Sequence, residues 1–264
     1  MIKNPQHSKL LRFFRNLITI AVLPFILTHC TEKEFDPADP AGSFAIAREP
    51  YDEENWDIAL TKLGEFKSRF PYSKHAALAE LFIADCQFEL ENYEEATVAY
   101  SSFVKLHPTH EKVDYAMFRV GESYWVQAPE EVDREQEFTH KAIEEWHHLT
   151  EKFPDSSYSK TAEERIKEGH NRIARSYEFI ADFYCKLEIY HACAYRFEAL
   201  ADKFPEYKDL QKKAYEQAGE ALLKLSQKRD EDPESDKNLY FKNFSPQDLV
   251  AKAKELKAKA DKIN

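Results

Sequence analysis

Glycine is scarce, at 5 of 264 residues, and none of the five belongs to a phosphate-cradling loop, a nucleophile elbow or a paired-carboxylate motif. An enzyme reading therefore has no positive feature to rest on, and no cofactor is expected. Hydrophobic runs are short. The apolar stretch Leu17–Leu27 (LITIAVLPFIL) is interrupted by Thr19 and Pro24, and its eleven residues would rise only about 16 Å as a helix, roughly half the hydrocarbon thickness of a bilayer. It is too short to span. Basic charge is also in deficit, with 37 Lys and Arg against 48 Asp and Glu and a formal net charge of -11. That balance excludes nucleic acid as a natural partner. Four cysteines, at no metal-ligand spacing, give neither a disulfide framework nor a zinc site.

What is present divides the chain sharply. Residues 1–29 carry Lys3, Lys9, Arg12 and Arg15, no acid, and the short apolar run, which is the pattern of a signal peptide. Their removal would move the charge from -11 to -15. The run ends at Leu27-Thr28-His29-Cys30, which resembles a lipobox; Cys30 would become the lipidated first residue. His29 departs from the Gly, Ala or Ser usual before that cysteine. Thr31 stands where an Asp would favour inner-membrane retention, so the resemblance points to the outer membrane. Residues 30–50 are polar and contain proline, and are read as a tether. Of the other cysteines, Cys86, Cys185 and Cys193, the preferred reading is buried thiols, with one disulfide as the alternative.

Scarce glycine and abundant Ala, Glu, Lys and Leu favour an all-α protein. Four segments share one internal ruler, a small residue followed at +4 and +7 by large apolar residues and at +12 by proline: Ala59, Leu63, Phe66, Pro71; Ala96, Tyr100, Phe103, Pro108; Ala142, Trp146, Leu149, Pro154; and Cys193, Phe197, Leu200, Pro205. These offsets mark one helix face closed by a helix-ending proline. The spacing resembles the second helix of a tetratricopeptide repeat, and predicts a right-handed superhelix of about five helix pairs over residues 51–228. First helices are expected at Ala76–Leu90, Tyr115–Val126 and Ile173–Lys186, with one insertion, a charged excursion, at Gln127–Thr139 and another that lengthens the helix from Ser159 into Ser176. A fifth pair starts at Asp209–Leu225. Residues 229–264 form a polar break and a Lys-rich helix suited to capping a solenoid end.

The stretch Phe70-Pro71-Tyr72-Ser73, His107-Pro108-Thr109-His110 running into Asp114–Phe118 and Gly121, and Arg172-Ile173-Ala174 followed by Phe183-Tyr184, Tyr190, Arg196-Phe197 and Phe204-Pro205 resemble the family of the outer membrane assembly factor BamD, also called YfiO or ComL. The resemblance covers roughly residues 50–225. It implies a lipid-anchored protein on the periplasmic face of the outer membrane. Such a protein docks on a BamA-type barrel insertase, meets unfolded outer membrane proteins, and can be joined by other lipoproteins of that machinery. It places Arg196 at the insertase-docking site, and Phe70 with Tyr72 at the first repeat's turn near a substrate groove. The Gly-Pro that the family carries before Tyr-Ser is missing here. From the residues alone, Arg196 equally suits an interhelical ion pair with Glu178 or Glu198, and the two aromatics suit packing. Glu144 with His147 and His148 shares a helix face that could hold a metal, but lacks a third ligand, and a solvated surface is the preferred reading. A different periplasmic repeat adaptor, serving cell-wall or Tol-Pal machinery, carries the same ruler and is the competing class.

Overall fold

The computed structural model describes residues 34–232 and 240–263. Cys30 and the signal peptide lie outside the described residues. The chain forms ten helices among the described residues: α1 Pro40–Asp52, α2 Trp56–Arg69, α3 Ala76–Glu89, α4 Tyr93–Leu106, α5 Val113–Gln127, α6 Glu137–Lys152, α7 Ser157–Lys186, α8 Tyr190–Lys203, α9 Lys208–Glu231 and α10 Pro246–Asp261. Each packs on its sequence neighbours, and the main further contacts join α1 with α3 and α5 with α7. This is the nearest-neighbour order of a helical-repeat solenoid, five pairs long.

The ruler residues are its core. Ala59, Leu63 and Phe66 on α2, Ala96, Tyr100 and Phe103 on α4, Ala142, Trp146 and Leu149 on α6, and Cys193, Phe197 and Leu200 on α8 are all buried. The following prolines close four like turns. In each, the capping residue (Phe70, His107, Phe153, Phe204) donates its N–H to the carbonyl four residues back, and a residue three further on donates to the cap's own carbonyl. Small residues permit close approach elsewhere: a Cβ on Gly121 would run into the indole of Trp146.

Two sequence expectations change. The stretch read as a tether is helical from Pro40 to Asp52, where α1 buries Ser43, Phe44 and Ala47. Asp39 caps α1 by accepting from the Gly42 N–H at 2.9 Å, and Pro40 occupies its first turn. Even before α1, Phe35 is buried against Phe66 and Phe70. Second, Cys185 and Cys193 are joined in a disulfide across the α7–α8 turn, which the preference for buried thiols did not anticipate. Among the described residues, Cys86 is the one free thiol, and it is buried. The long helix was expected: α7 runs unbroken over 30 residues from Ser157 to Lys186, so the stretch from Ser159 into Ser176 extends the helix whose second half is Ile173–Lys186.

The C-terminal helix α10 packs on α9. Leu249, Ala253, Leu256 and Ala260 of α10 are buried, and Arg229 fastens the approach to α10 by donating to the carbonyls of Phe241 and Phe244 at 2.9 and 2.8 Å. Ser245 and Asp248 form a capping box at its start. No helix among the described residues is long and apolar enough to cross a membrane.

Candidate functional site

The 127–139 insertion builds the wall of a cleft. It is ordered by one side chain: Gln136, 6% exposed, donates through Nε2 to the carbonyls of Glu131 and Arg134 at 3.1 and 3.2 Å, while its Oε1 accepts from the Thr139 hydroxyl at 2.7 Å. A buried amide satisfied in this way fixes a loop that charge alone would leave solvated. Facing the loop across a cleft of about 520 Å³ are Ile173, Ser176, Tyr177 and Ile180 of α7 and Arg196 of α8. Asp133, Arg134, Glu135, Glu137 and His140 complete the rim with Gln136. Burial, with Lys203 and His170 nearby, pushes His140 below the ordinary imidazole value, so at neutral pH it adds no charge there.

Arg196 is half-buried, and its guanidinium lies 5.8 Å from the ring centroid of Tyr184. The two carboxylates that sequence offered as partners are taken: Glu178 pairs with Lys213 at 2.6 Å and Glu198 with Lys252 at 2.7 Å. Among the described residues no carboxylate lies within ion-pair distance of Arg196. Asp133, Glu135 and Glu137 line the same cleft without pairing with it, and a partly desolvated guanidinium left unpaired can take an anionic group supplied from outside the chain. One turn up α7, Arg172 stacks 3.7 Å over Trp125, and its Nη1 is buried without a hydrogen-bond partner.

The structure separates Phe70 from Tyr72. Phe70 is drawn into the aromatic core, 5.1 Å from the ring of Phe66, whereas Tyr72 is 100% exposed. Neither lies in the Arg196 cleft. The His107-Pro108-Thr109-His110 segment is a structural turn. His107 Nε2 is 2.8 Å from Glu80 Oε2, and both imidazoles pack on Phe103. Among the described residues, no three His, Cys, Asp or Glu side chains converge to hold a metal.

Sequence reasoning missed a polar knot joining the first three pairs. Asp85 of α3, 4% exposed, accepts from Tyr51 at 2.9 Å, Tyr100 at 2.6 Å and Tyr115 at 2.8 Å. Arg119 donates to the Tyr100 oxygen at 3.0 Å, pairs with Glu89 at 3.1 Å and stacks 3.8 Å over Phe88. An aspartate on the inward face of an apolar helix was the available signal. A buried carboxylate requires donors, and tyrosines stood at suitable positions on neighbouring helices.

The profile of the YfiO family, described as outer membrane lipoprotein, matches residues 37–236. The chain is 24% identical to the outer membrane protein assembly factor BamD of Vibrio cholerae over 195 residues, covering 68% of this chain and 81% of that protein. It is 25% identical to the BamD of Neisseria meningitidis serogroup B over 199 residues, covering 72% of each. Among solved structures, a tetratricopeptide repeat protein from Parabacteroides merdae aligns over 85% of this chain and 93% of its own, at 15% identity and a TM-score of 0.37. With the profile spanning the solenoid from its first helix past the end of α9, the chain belongs to the YfiO family of outer membrane lipoproteins.

Proposed function

We propose that this protein is a non-catalytic scaffold of the machinery that assembles β-barrel proteins in the outer membrane, held there by lipid on Cys30 and docking on a BamA-type insertase through the Arg196 cleft. Curated relatives carry the name outer membrane protein assembly factor, and a solenoid exposes the extended surfaces that bind partner domains and unfolded chains. The observation that carries the docking assignment is the half-buried Arg196 without a carboxylate partner, set in a cleft whose far wall is a loop locked by Gln136. A carboxylate of the insertase would complete that pairing. Unfolded outer membrane proteins are the substrates this scaffold would help receive, and other lipoproteins of the machinery are its further partners.

The test is a mild-detergent pull-down of the tagged, full-length protein from its own envelope beside Arg196→Glu, with co-purifying proteins identified by mass spectrometry and the variant's helicity checked by circular dichroism. Recovery of a BamA-type barrel protein by the wild type and its loss with the folded variant is the expected result. Recovery of cell-wall or Tol-Pal components without that protein would overturn it.

A further inference from the structure

The four turns that join successive helix pairs have the same backbone, so their sequences can be compared position by position. The residue after the proline is Tyr72 in the first turn and Thr109, Asp155 and Glu206 in the other three. The backbone pattern therefore does not require an aromatic there, and packing does not use it, since Tyr72 is fully exposed. Beside it in the turn stand exposed Arg69, Pro71 and Lys74. A free tyrosine flanked by two cations is the side-chain set that settles at a membrane–water interface, ring among the headgroups and cations toward phosphate.

The position of this turn relative to the anchor decides what it meets. Phe35 packs on Phe66 and on Phe70, the residue just before Pro71, with ring centroids 6.3 and 6.5 Å away, and the Arg69 guanidinium lies 5.6 Å from its ring. Only five residue steps separate Phe35 from Cys30, and a fully extended chain covers at most about 18 Å in that distance. If Cys30 carries the lipid, the first turn cannot leave the neighbourhood of the bilayer. Net charge does not drive the contact, because Glu34, Asp36 and Asp39 are exposed at the same end. Tether length and the interfacial tyrosine do.

We propose that the first inter-pair turn, Arg69–Lys74, is a membrane-contact surface that seats Tyr72 at the phospholipid headgroup level and holds the first helix pair against the leaflet carrying the anchor. This rests on the reading of Cys30 as the lipidated residue. It assigns Tyr72 to lipid, where resemblance had placed it beside a peptide groove.

The test uses full-length, membrane-purified protein in phosphatidylethanolamine–phosphatidylglycerol vesicles containing shallow spin-labelled lipid. An environment-sensitive fluorophore is attached at Tyr72→Cys or, at the far end of the solenoid, at Lys257→Cys. In the acylated protein the native thiols do not compete: the Cys30 sulfur carries lipid, Cys86 is buried with its pKa pushed up to about 12 by that burial, and Cys185 and Cys193 are bonded to each other. The expected result is loss of emission at position 72 with none at position 257. A reporter at Lys74→Cys should likewise be quenched, and should recover its emission when Tyr72→Ser is added. Mass spectrometry of Cys30 separates the two levels. An acylated protein whose label at position 72 is unquenched overturns the membrane contact alone. An unacylated Cys30 overturns the anchor reading and the contact with it.

Discussion

Asp85 is nearly buried, and the hydroxyls that satisfy it come from α1, α4 and α5. One carboxylate thus ties three helix pairs together. Removing it as Asp85→Ala leaves one buried and two part-buried hydroxyls without their acceptor, a loss we expect to cost about 3 kcal/mol. Asp85→Asn, which keeps an acceptor oxygen, should cost less, and urea unfolding of both variants orders them. The same knot predicts a pH dependence. Burial first, then the Asp85 carboxylate, pushes Tyr51, Tyr100 and Tyr115 above the ordinary tyrosine value. An unfolded chain releases phenolic protons near pH 10, about the reference value, while the folded protein keeps these three to higher pH. The fold then binds more protons than the unfolded chain, so stability is full below about pH 10 and falls as pH rises beyond it. Urea midpoints from pH 8 to 11 should show that fall. It should be shallower in a Tyr51→Phe, Tyr100→Phe, Tyr115→Phe triple variant, and an equal slope would count against the knot as its source.

At the scale of elements, scarce glycine leaves a visible cost. Three of the turns within pairs end their first helix with a glutamate in the left-handed region: Glu54 at φ 60°, Glu91 at φ 62° and Glu188 at φ 57°. Each closes a Schellman pattern in which the next residue donates six-to-one across the helix end, as Asn55 does to Pro50, Asn92 to Gln87 and Ile189 to Tyr184. Glycine is the usual residue there because a Cβ costs roughly 1 kcal/mol in that conformation. Replacing each glutamate with glycine should therefore stabilise by a few tenths to about 1 kcal/mol, after the added freedom of the unfolded chain is deducted. Thermal melts of the triple variant should show a higher midpoint. In the α7–α8 turn a disulfide spans the same connection, with a sequence separation of 8. A loop of that size is worth about 2.5 kcal/mol on chain-entropy grounds. Reduction should lower the melting midpoint of the wild type to that of a Cys185→Ala, Cys193→Ala variant, and should leave the variant's own midpoint unchanged. The second helices of the pairs were legible in sequence because their apolar offsets lie within single helices. Helix α1 was not, since its two prolines argued for a tether; the Asp39 cap followed by Pro40 was the start signal that outweighed them. The Asp85 knot stayed hidden because its partners lie 34, 15 and 30 residues away, separations that local periodicity does not register. The Arg196 cleft was half legible: the arginine could be named, but not the loop opposite it or the capture of Glu178 and Glu198 by lysines.

At the scale of the molecule, packing between sequence neighbours makes stability a chain of local interfaces with two ends that behave differently. The first end is closed by Phe35 and α1, the last by α10, whose Leu249 and Leu256 are fully buried and whose Lys252 pairs with Glu198 of α8 at 2.7 Å. Ending the chain after Asp232 would uncover the face of α9 on which α10 packs, where Gly219 lies against the backbone of Ala253. It would also strip Arg229 of the Phe241 and Phe244 carbonyls. In a solenoid such damage should spread only as far as the neighbouring interfaces carry it. Amide hydrogen exchange of the truncated protein should therefore quicken in α9 and, more weakly, in α8, with α1 to α4 exchanging as in the whole chain. A uniform rise from α1 to α9 would instead show one cooperative core. The first end and the Arg196 cleft, proposed above as a docking surface, would then respond to partners as a single unit.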